Sequence, residues 1–566
     1  MSQRIRLISL LLASLGVVAT HQLPSLVRAS TSPSWGIVLP VVFASGIQSS
    51  TPDAVLRQVS CPAVGTCTAV GNFRSTNGEY EAFAATSSNG TWTTAVVIPF
   101  PSGSQYSPID SFLESVSCWS PGECAAVGGF RNTNGRIQPF VTTSSNGSWS
   151  TAAPVLFASN VQNSNPYAYL TSISCPSTGA CSATGKFDDV NGRARIFTTS
   201  RVGGVWEQAL PMAFVPSVQS SYVNAEPSAI TCATAGNCAL VGRFRNSSFA
   251  DEAFVVGSTN GVWGDAQAVS FPPNIHDPFT HNDRLDAVAC SSPGSCTAVG
   301  RFRNTSGDLE AFSISSVGGV WSTANPISFP PNSQTAQLMS RLNGVSCPTP
   351  LDCIAVGEFR NQSGERQAFH VSFSNGNWNT ASPISIPTNI QNSPQDSTAR
   401  LVDCTTSEGC LVTGTFDDSN GNTRTFSTFF VDGIWTAASF PAYPISGSPY
   451  GGFIDSIDCP MIGNCAAVGS FQDSASNREA FTLVSAYSIP STTTIGPTNT
   501  TTSTTSVPTN SSPEETSIPP NPGSLPSVDS SDRLPETGGT DPGAVLVVTL
   551  ITGGILIVQA TRRRVV

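Results

Sequence analysis

Sixteen cysteines are the residues of this 566-residue chain whose spacing most directly implies chemistry. They fall in C-x5-C pairs with none left over: Cys61 and Cys67, Cys118 and Cys124, Cys175 and Cys181, Cys232 and Cys238, Cys290 and Cys296, Cys347 and Cys353, Cys404 and Cys410, Cys459 and Cys465. Thiols so placed either oxidise to a disulfide or hold zinc. Structural zinc sites typically separate paired ligands by about two to four residues and draw on further donors, and this chain has only four histidines. Together with the export argued below, complete pairing predicts eight local disulfides.

Other candidates for chemistry are fewer. His276-Asp277 and His281-Asn282-Asp283 are potential metal ligands, but His276 fills a repeat position otherwise held by Gln, which suits a hydrogen-bonding role. Asp188-Asp189-Val190-Asn191-Gly192 and Asp417-Asp418-Ser419-Asn420-Gly421 open like calcium loops but lack the later acidic residue, so β-turns are expected. No metal and no cofactor are predicted. No carboxylate pair stands out as an acid and a base, and no serine–histidine or phosphate-loop signature is found.

The elements that carry the cysteines are repeats. The first cysteines recur at steps of 57, 57, 57, 58, 57, 57 and 55 residues, which marks a repeat architecture. In the copy spanning 285–331, four runs rich in Val, Phe, Ala and Ser predict four antiparallel strands, a to d. Strand a ends at Cys290 and strand b alternates through Ala298-Val299-Gly300 and Phe302. Asn304-Thr305-Ser306-Gly307 closes the b–c hairpin, Ala311 and Phe312 lie on strand c, and Gly318-Gly319 leads to Trp321 on strand d.

Such units stack as the blades of a β-propeller. Eight cysteine pairs give eight a–b hairpins, but only seven strand-d tryptophans follow them: Trp92, Trp149, Trp206, Trp263, Trp321, Trp378 and Trp435. Trp35 in Ser34-Trp35-Gly36-Ile37-Val38-Leu39-Pro40 supplies the eighth, and the last unit, 454–487, lacks that strand. The expected fold is therefore all-β: an eight-bladed β-propeller of four-stranded blades, closed by an N-terminal strand.

The d–a loops keep the same beat through Gln48, Gln105, Gln162, Gln219, His276, Gln334 and Gln391, read as side-chain amides bonded to loop backbone. The residues after them vary and collect aromatics at Tyr106, Tyr167, Tyr169, Tyr222, Phe279 and Tyr450. Aromatics in variable loops on one rim of a rigid ring are a candidate binding rim.

The c–d turn Ser87-Ser88-Asn89-Gly90-Thr91-Trp92 and its copies resemble the repeat of the Asp-box propellers, which include sialidases, over residues 35–487. Here Asn replaces the box Asp and the turn is shorter. The resemblance implies, for an active enzyme, an arginine trio for the substrate carboxylate, a Tyr–Glu pair and an acidic catalyst. Most arginines instead follow the repeat, as in Phe73-Arg74, Phe130-Arg131, Phe244-Arg245, Phe302-Arg303 and Phe359-Arg360. The chain is accordingly read as a non-enzyme that displays a ligand-binding or adhesion module; the alternative is a surface glycosidase of sialidase type or another hydrolase.

The two ends of the chain carry export signals. Arg4 and Arg6 precede an apolar run at 7–19, the pattern of a secretory signal peptide, 1–29, with cleavage after Ala29 or Ala19. The propeller occupies 30–488, and a Thr/Ser/Pro-rich segment at 489–533 reads as a disordered stalk. Leu534-Pro535-Glu536-Thr537-Gly538, an apolar run at 543–560 and Arg562-Arg563-Arg564 then resemble the cell-wall sorting signal of Gram-positive bacteria. That resemblance implies a sortase that cleaves after Thr537 and passes it to a peptidoglycan precursor. The run is long enough for a transmembrane helix of about 27 Å, the chain's one membrane contact before sorting. The expected location is the wall or surface of a Gram-positive-type bacterium, with an unknown extracellular glycan or protein as ligand. A net charge of −11 and a single lysine, Lys186, argue against a nucleic-acid partner.

Overall fold

The computed structural model describes residues 33–105, 110–159, 161–162, 167–219, 224–246, 248–277, 282–331, 333, 339–443 and 452–487. Eight sheets account for nearly all of them, each ordered a-b-c-d from strand to neighbouring strand. In blade 5, strand a is Arg284–Ser292, b is Ser295–Arg303, c is Leu309–Val317, and d comprises Val320–Trp321 and Asn325–Pro326. Blade 8 takes a, b and c from Phe453–Met461, Asn464–Gln472 and Arg478–Tyr487. Its strand d comes from the other end of the chain: Trp35 pairs with Ser485 and Leu39 with Thr482. The predicted eight-bladed ring and its N-terminal closure are both present.

Local chemistry explains the blade. At the c–d turns two successive residues have positive φ, as in Asn89 (50°) and Gly90 (77°) or Gly318 (59°) and Gly319 (82°). That is the type I′ hairpin, which Asn-Gly and Gly-Gly adopt at least cost. The same rule accounts for the Asn in the repeat, independently of any Asp box. Strand d departs from the expected single run: Trp321 faces Ser316 and Pro326 faces Phe312, five residues against four, so the strand is bulged. The bulge turns the Ala324 amide away from its own sheet to donate to Ser270 O of blade 4 at 2.8 Å, and Ala95 reaches Val42 O in the same way across the closure.

Between blades the packing is aromatic. Phe302 and Phe312 meet edge-on at 5.8 Å beneath Phe271, and Phe73 and Phe83 do so beneath Phe43. The a strands of neighbouring blades contact one another all the way round, so they form the innermost ring. All eight C-x5-C pairs are disulfides joining strands a and b within a blade. Eight bridges indicate an oxidising or extracellular environment.

The proposed turn and loop roles fall out by residue. Asp189 Oδ1 accepts from the Asn191 and Arg193 amides, and Asp418 Oδ1 from Asn420 and Asn422, the bonding of a turn. His276 pairs through Nε2 with Asp283 at 2.6 Å and stacks on Phe271 at 4.2 Å. The Gln beat is chiefly a backbone device: Gln48, Gln105, Gln162, His276 and Gln391 bridge to the first residue of the b–c turn, and Gln391 Nε2 also donates to Ile386 O. Among the described residues no helix is long and apolar enough to cross a membrane. The signal peptide, stalk, sorting pentapeptide and apolar run at 543–560 lie outside them.

Candidate functional site

Each strand a starts, and each strand b ends, at the face that carries the d–a loops and b–c turns; the disulfides lie at the opposite face. Two cross-strand neighbours at that face escape the repeat. From blade 2 to blade 6 they are Phe112 and Gly129, Tyr169 and Lys186, Glu226 and Arg243, Arg284 and Arg301, and Arg341 and Glu358. In blades 7, 8 and 1 they are uncharged: Thr398 and Thr415, Phe453 and Ser470, Val55 and Asn72. The fold holds them closely. A Cβ on Gly300 would stand 2.0 Å from Arg284 O, so glycine alone lets strand b approach strand a here. Strand a then bulges between Leu285 and Ala287, which re-aims the side chain of Asp286.

Charge is balanced on either side of blade 5. Arg243 binds Glu226 at 2.7 Å and Asp251 at 2.8 Å, and Arg341 Nε lies 3.1 Å from Glu358. Thr398 donates its hydroxyl to the same Glu358 carboxylate. In blade 5 two arginines face each other instead, a destabilising arrangement for like charges. Asp286 takes Arg284 at 2.5 Å. Arg301 has no carboxylate at ion-pair distance among the described residues, and its Nε is buried without a hydrogen-bond partner. Burial holds the Arg301 guanidinium below its ordinary pKa, Asp286 acts the other way, and Arg284, Arg341 and Arg243 push it lower again. Burial raises Asp286 above the usual carboxylate range even though Arg284, Arg301 and Arg341 oppose it. The arrangement is a guanidinium cluster short of one anion, with a carboxyl group at its centre whose proton affinity is raised.

Next to this cluster lie two of the predicted rim residues. Tyr167 is 46% exposed and meets Tyr169 edge-on at 5.7 Å, and Lys186 Nζ stands 5.3 Å above the Tyr169 ring. Tyr106, Tyr222, Phe279 and Tyr450 fall outside the described residues.

A second group was also missed. In four blades the serine before the first cysteine accepts the amide of the next blade's first cysteine: Ser60 from Cys118, Ser117 from Cys175, Ser174 from Cys232, Ser346 from Cys404. Blades 7 and 8 put Asp403 and Asp458 there. Burial pushes them up, to about 6 and about 8, and Asp403 adds its charge to the effect on Asp458. Both face the inner ring and stay partly exposed. Neither of these two carboxylates was singled out in the sequence. The signal that would have found both groups is departure from the repeat, at the residue before each strand-b Phe and at the residue before each first Cys.

No protein-family model matches this chain, and no curated protein does. Among solved structures it is similar to a Hadza microbial sialidase at 11% identity, over 65% of this chain and 75% of that one, with a TM-score of 0.32. It is similar to the NanB sialidase from Streptococcus pneumoniae at 12%, over 72% and 70%, TM-score 0.32. An ulvan lyase from a new polysaccharide lyase family matches at 10%, over 80% and 94%, TM-score 0.35. The class that the fold defines is the eight-bladed β-propeller. The sequence-based reading of a non-enzyme is corrected by these comparisons: the solved propellers named here are enzymes, and that reading is not kept.

Proposed function

We propose that this chain is an exported, carbohydrate-active propeller that takes an acidic sugar, carboxylated or sulfated, at the guanidinium cluster of blades 4 to 6 and acts on it as a glycosidase-type hydrolase. The observation that carries this reading is the Arg284–Arg301 pair: like charges set directly opposite, with no carboxylate at ion-pair distance from Arg301 among the described residues. Arginine is suited to bidentate capture of a carboxylate or sulfate. Asp286, raised by burial, has the character of a general acid beside that anion. The sorting resemblance at Leu534-Pro535-Glu536-Thr537-Gly538 supports display of this ring from the cell wall, on the stalk of 489–533.

The test is a panel of uronate-containing, sialylated, sulfated and neutral glycans, scored for binding and for release of reducing ends. Acidic members should bind and at least one should be cleaved, with cleavage lost in Asp286→Asn while binding persists. Equal behaviour of acidic and neutral glycans would remove the proposal.

A further inference from the structure

We propose that the acidic ligand is a polymer, and that the sugar next to its anionic residue rests on an aromatic step built by Phe112, Tyr169 and Tyr167. This rests on the reading of the guanidinium cluster as an anion site. The step and the cluster occupy the same two register positions on consecutive blades. Phe112 of blade 2 meets Tyr169 of blade 3 edge-on at 5.7 Å, and Tyr169 meets the exposed Tyr167 at 5.7 Å. Opposite Phe112 stands Gly129, where a Cβ would come within 2.7 Å of the Phe112 ring and 2.9 Å of Tyr169 Cβ. The missing side chain is what lets the two rings meet.

Lys186 joins the step to the cluster. Its Nζ lies over Tyr169 and 3.9 Å from Glu226, which holds Arg243 on the flank of Arg301. The surface therefore changes in order across five blades, from aromatic to mixed to guanidinium. Such an order fits a chain whose units differ: one carries the anion and its neighbour offers an apolar ring face. A single acidic monosaccharide would need the cluster alone. An acidic peptide would use the charges but has no ring face for Tyr167.

The experiment compares galacturonate, hexagalacturonate, inorganic sulfate and hexaglutamate by calorimetry on the whole protein. Hexagalacturonate should bind the wild type about tenfold tighter than galacturonate, the upper end of what one aromatic face contributes. Tyr167→Ala, at an exposed position, should remove that gain and leave galacturonate and sulfate unchanged. Equal affinity for monomer and hexamer, or equal weakening of both by Tyr167→Ala, overturns the polymer inference alone. Hexaglutamate binding with the same dependence on Tyr167 overturns the saccharide class. Failure of every anionic probe to bind removes this inference and the anion site together.

Discussion

The amide of Cys61, in the first blade, donates to Oδ2 of Asp458, in the last, at 2.9 Å. Every inner-ring bond of this kind couples neighbouring blades, but this one joins residues 397 positions apart in the chain and shuts the ring. The same step from blade 7 to blade 8 runs from the Cys459 amide to Asp403 at 2.7 Å. Where blades 1, 2, 3 and 6 use a serine hydroxyl, the closing blades use carboxylates that burial makes reluctant to ionise, Asp458 the more so for the charge of Asp403.

That chemistry sets a pH dependence. A carboxyl whose folded pKa lies above its unfolded value near 3.8 adds stability that is complete below about 4 and lost as pH rises through the folded values, here about 6 and about 8. The melting temperature should therefore fall between pH 5 and pH 8.5. Asp458→Asn keeps an acceptor for the Cys61 amide and removes one charge. It should flatten that slope and gain roughly 1–3 °C at pH 8.5. An unchanged slope in calorimetric scans would exclude the pair as its source.

The N-terminal strand offers a test within two adjacent residues. Ile37 is 67% exposed, whereas Val38 is fully buried beside Ile454 and Phe481 and donates its amide to Ala442 O of blade 7 at 3.3 Å. Trp35 adds an indole hydrogen bond to Ser427 Oγ and a ring contact with Phe429 at 6.1 Å. Val38→Asp places an uncompensated carboxylate in that core and should cost more than about 3 kcal/mol. Ile37→Asp should stay within about 0.5 kcal/mol. Matched denaturant curves for the two variants would mean that the strand does not close the ring.

Wall display is tested at Thr537. If a sortase joins its carbonyl to an amine of the peptidoglycan precursor, Thr537→Ala should move the protein from the wall fraction to the membrane or the medium. An undiminished wall fraction would leave no role for the pentapeptide.

The ring was legible because a period of 57 residues repeats the cysteines, the turn glycines and Trp321 with its counterparts, all tied to backbone geometry that each blade must reproduce. The site was harder for the same reason. Phe302-Arg303 belongs to the repeat, while Arg301 beside it varies from blade to blade and is the one that faces a second guanidinium, Arg284, across the strands. Its relation to Arg284 depends on cross-strand register, and its relation to Arg243 and Arg341 on how blades stack; neither is written in local sequence. Asp403 and Asp458 were hidden likewise, since their proximity follows from ring order and their raised proton affinity from burial.

Arg301 makes the last prediction, because stability and binding should move in opposite directions there. In the free protein it faces Arg284, feels two further guanidiniums and leaves Nε without a partner. Arg301→Met keeps the aliphatic stem and removes the charge, so the free protein should gain up to about 1 kcal/mol, the scale of a cross-strand like-charge pair. Binding should go the other way. Millimolar sulfate should raise the wild-type melting temperature above the general salting effect, read as the excess over the variant at equal sulfate. Arg303→Met, at a repeat position where the guanidinium donates to Gly307 O at 3.0 Å, should retain the sulfate response. A loss of stability in Arg301→Met, or an equal sulfate response in all three proteins, would show that Arg301 is satisfied within the fold and does not await an anion.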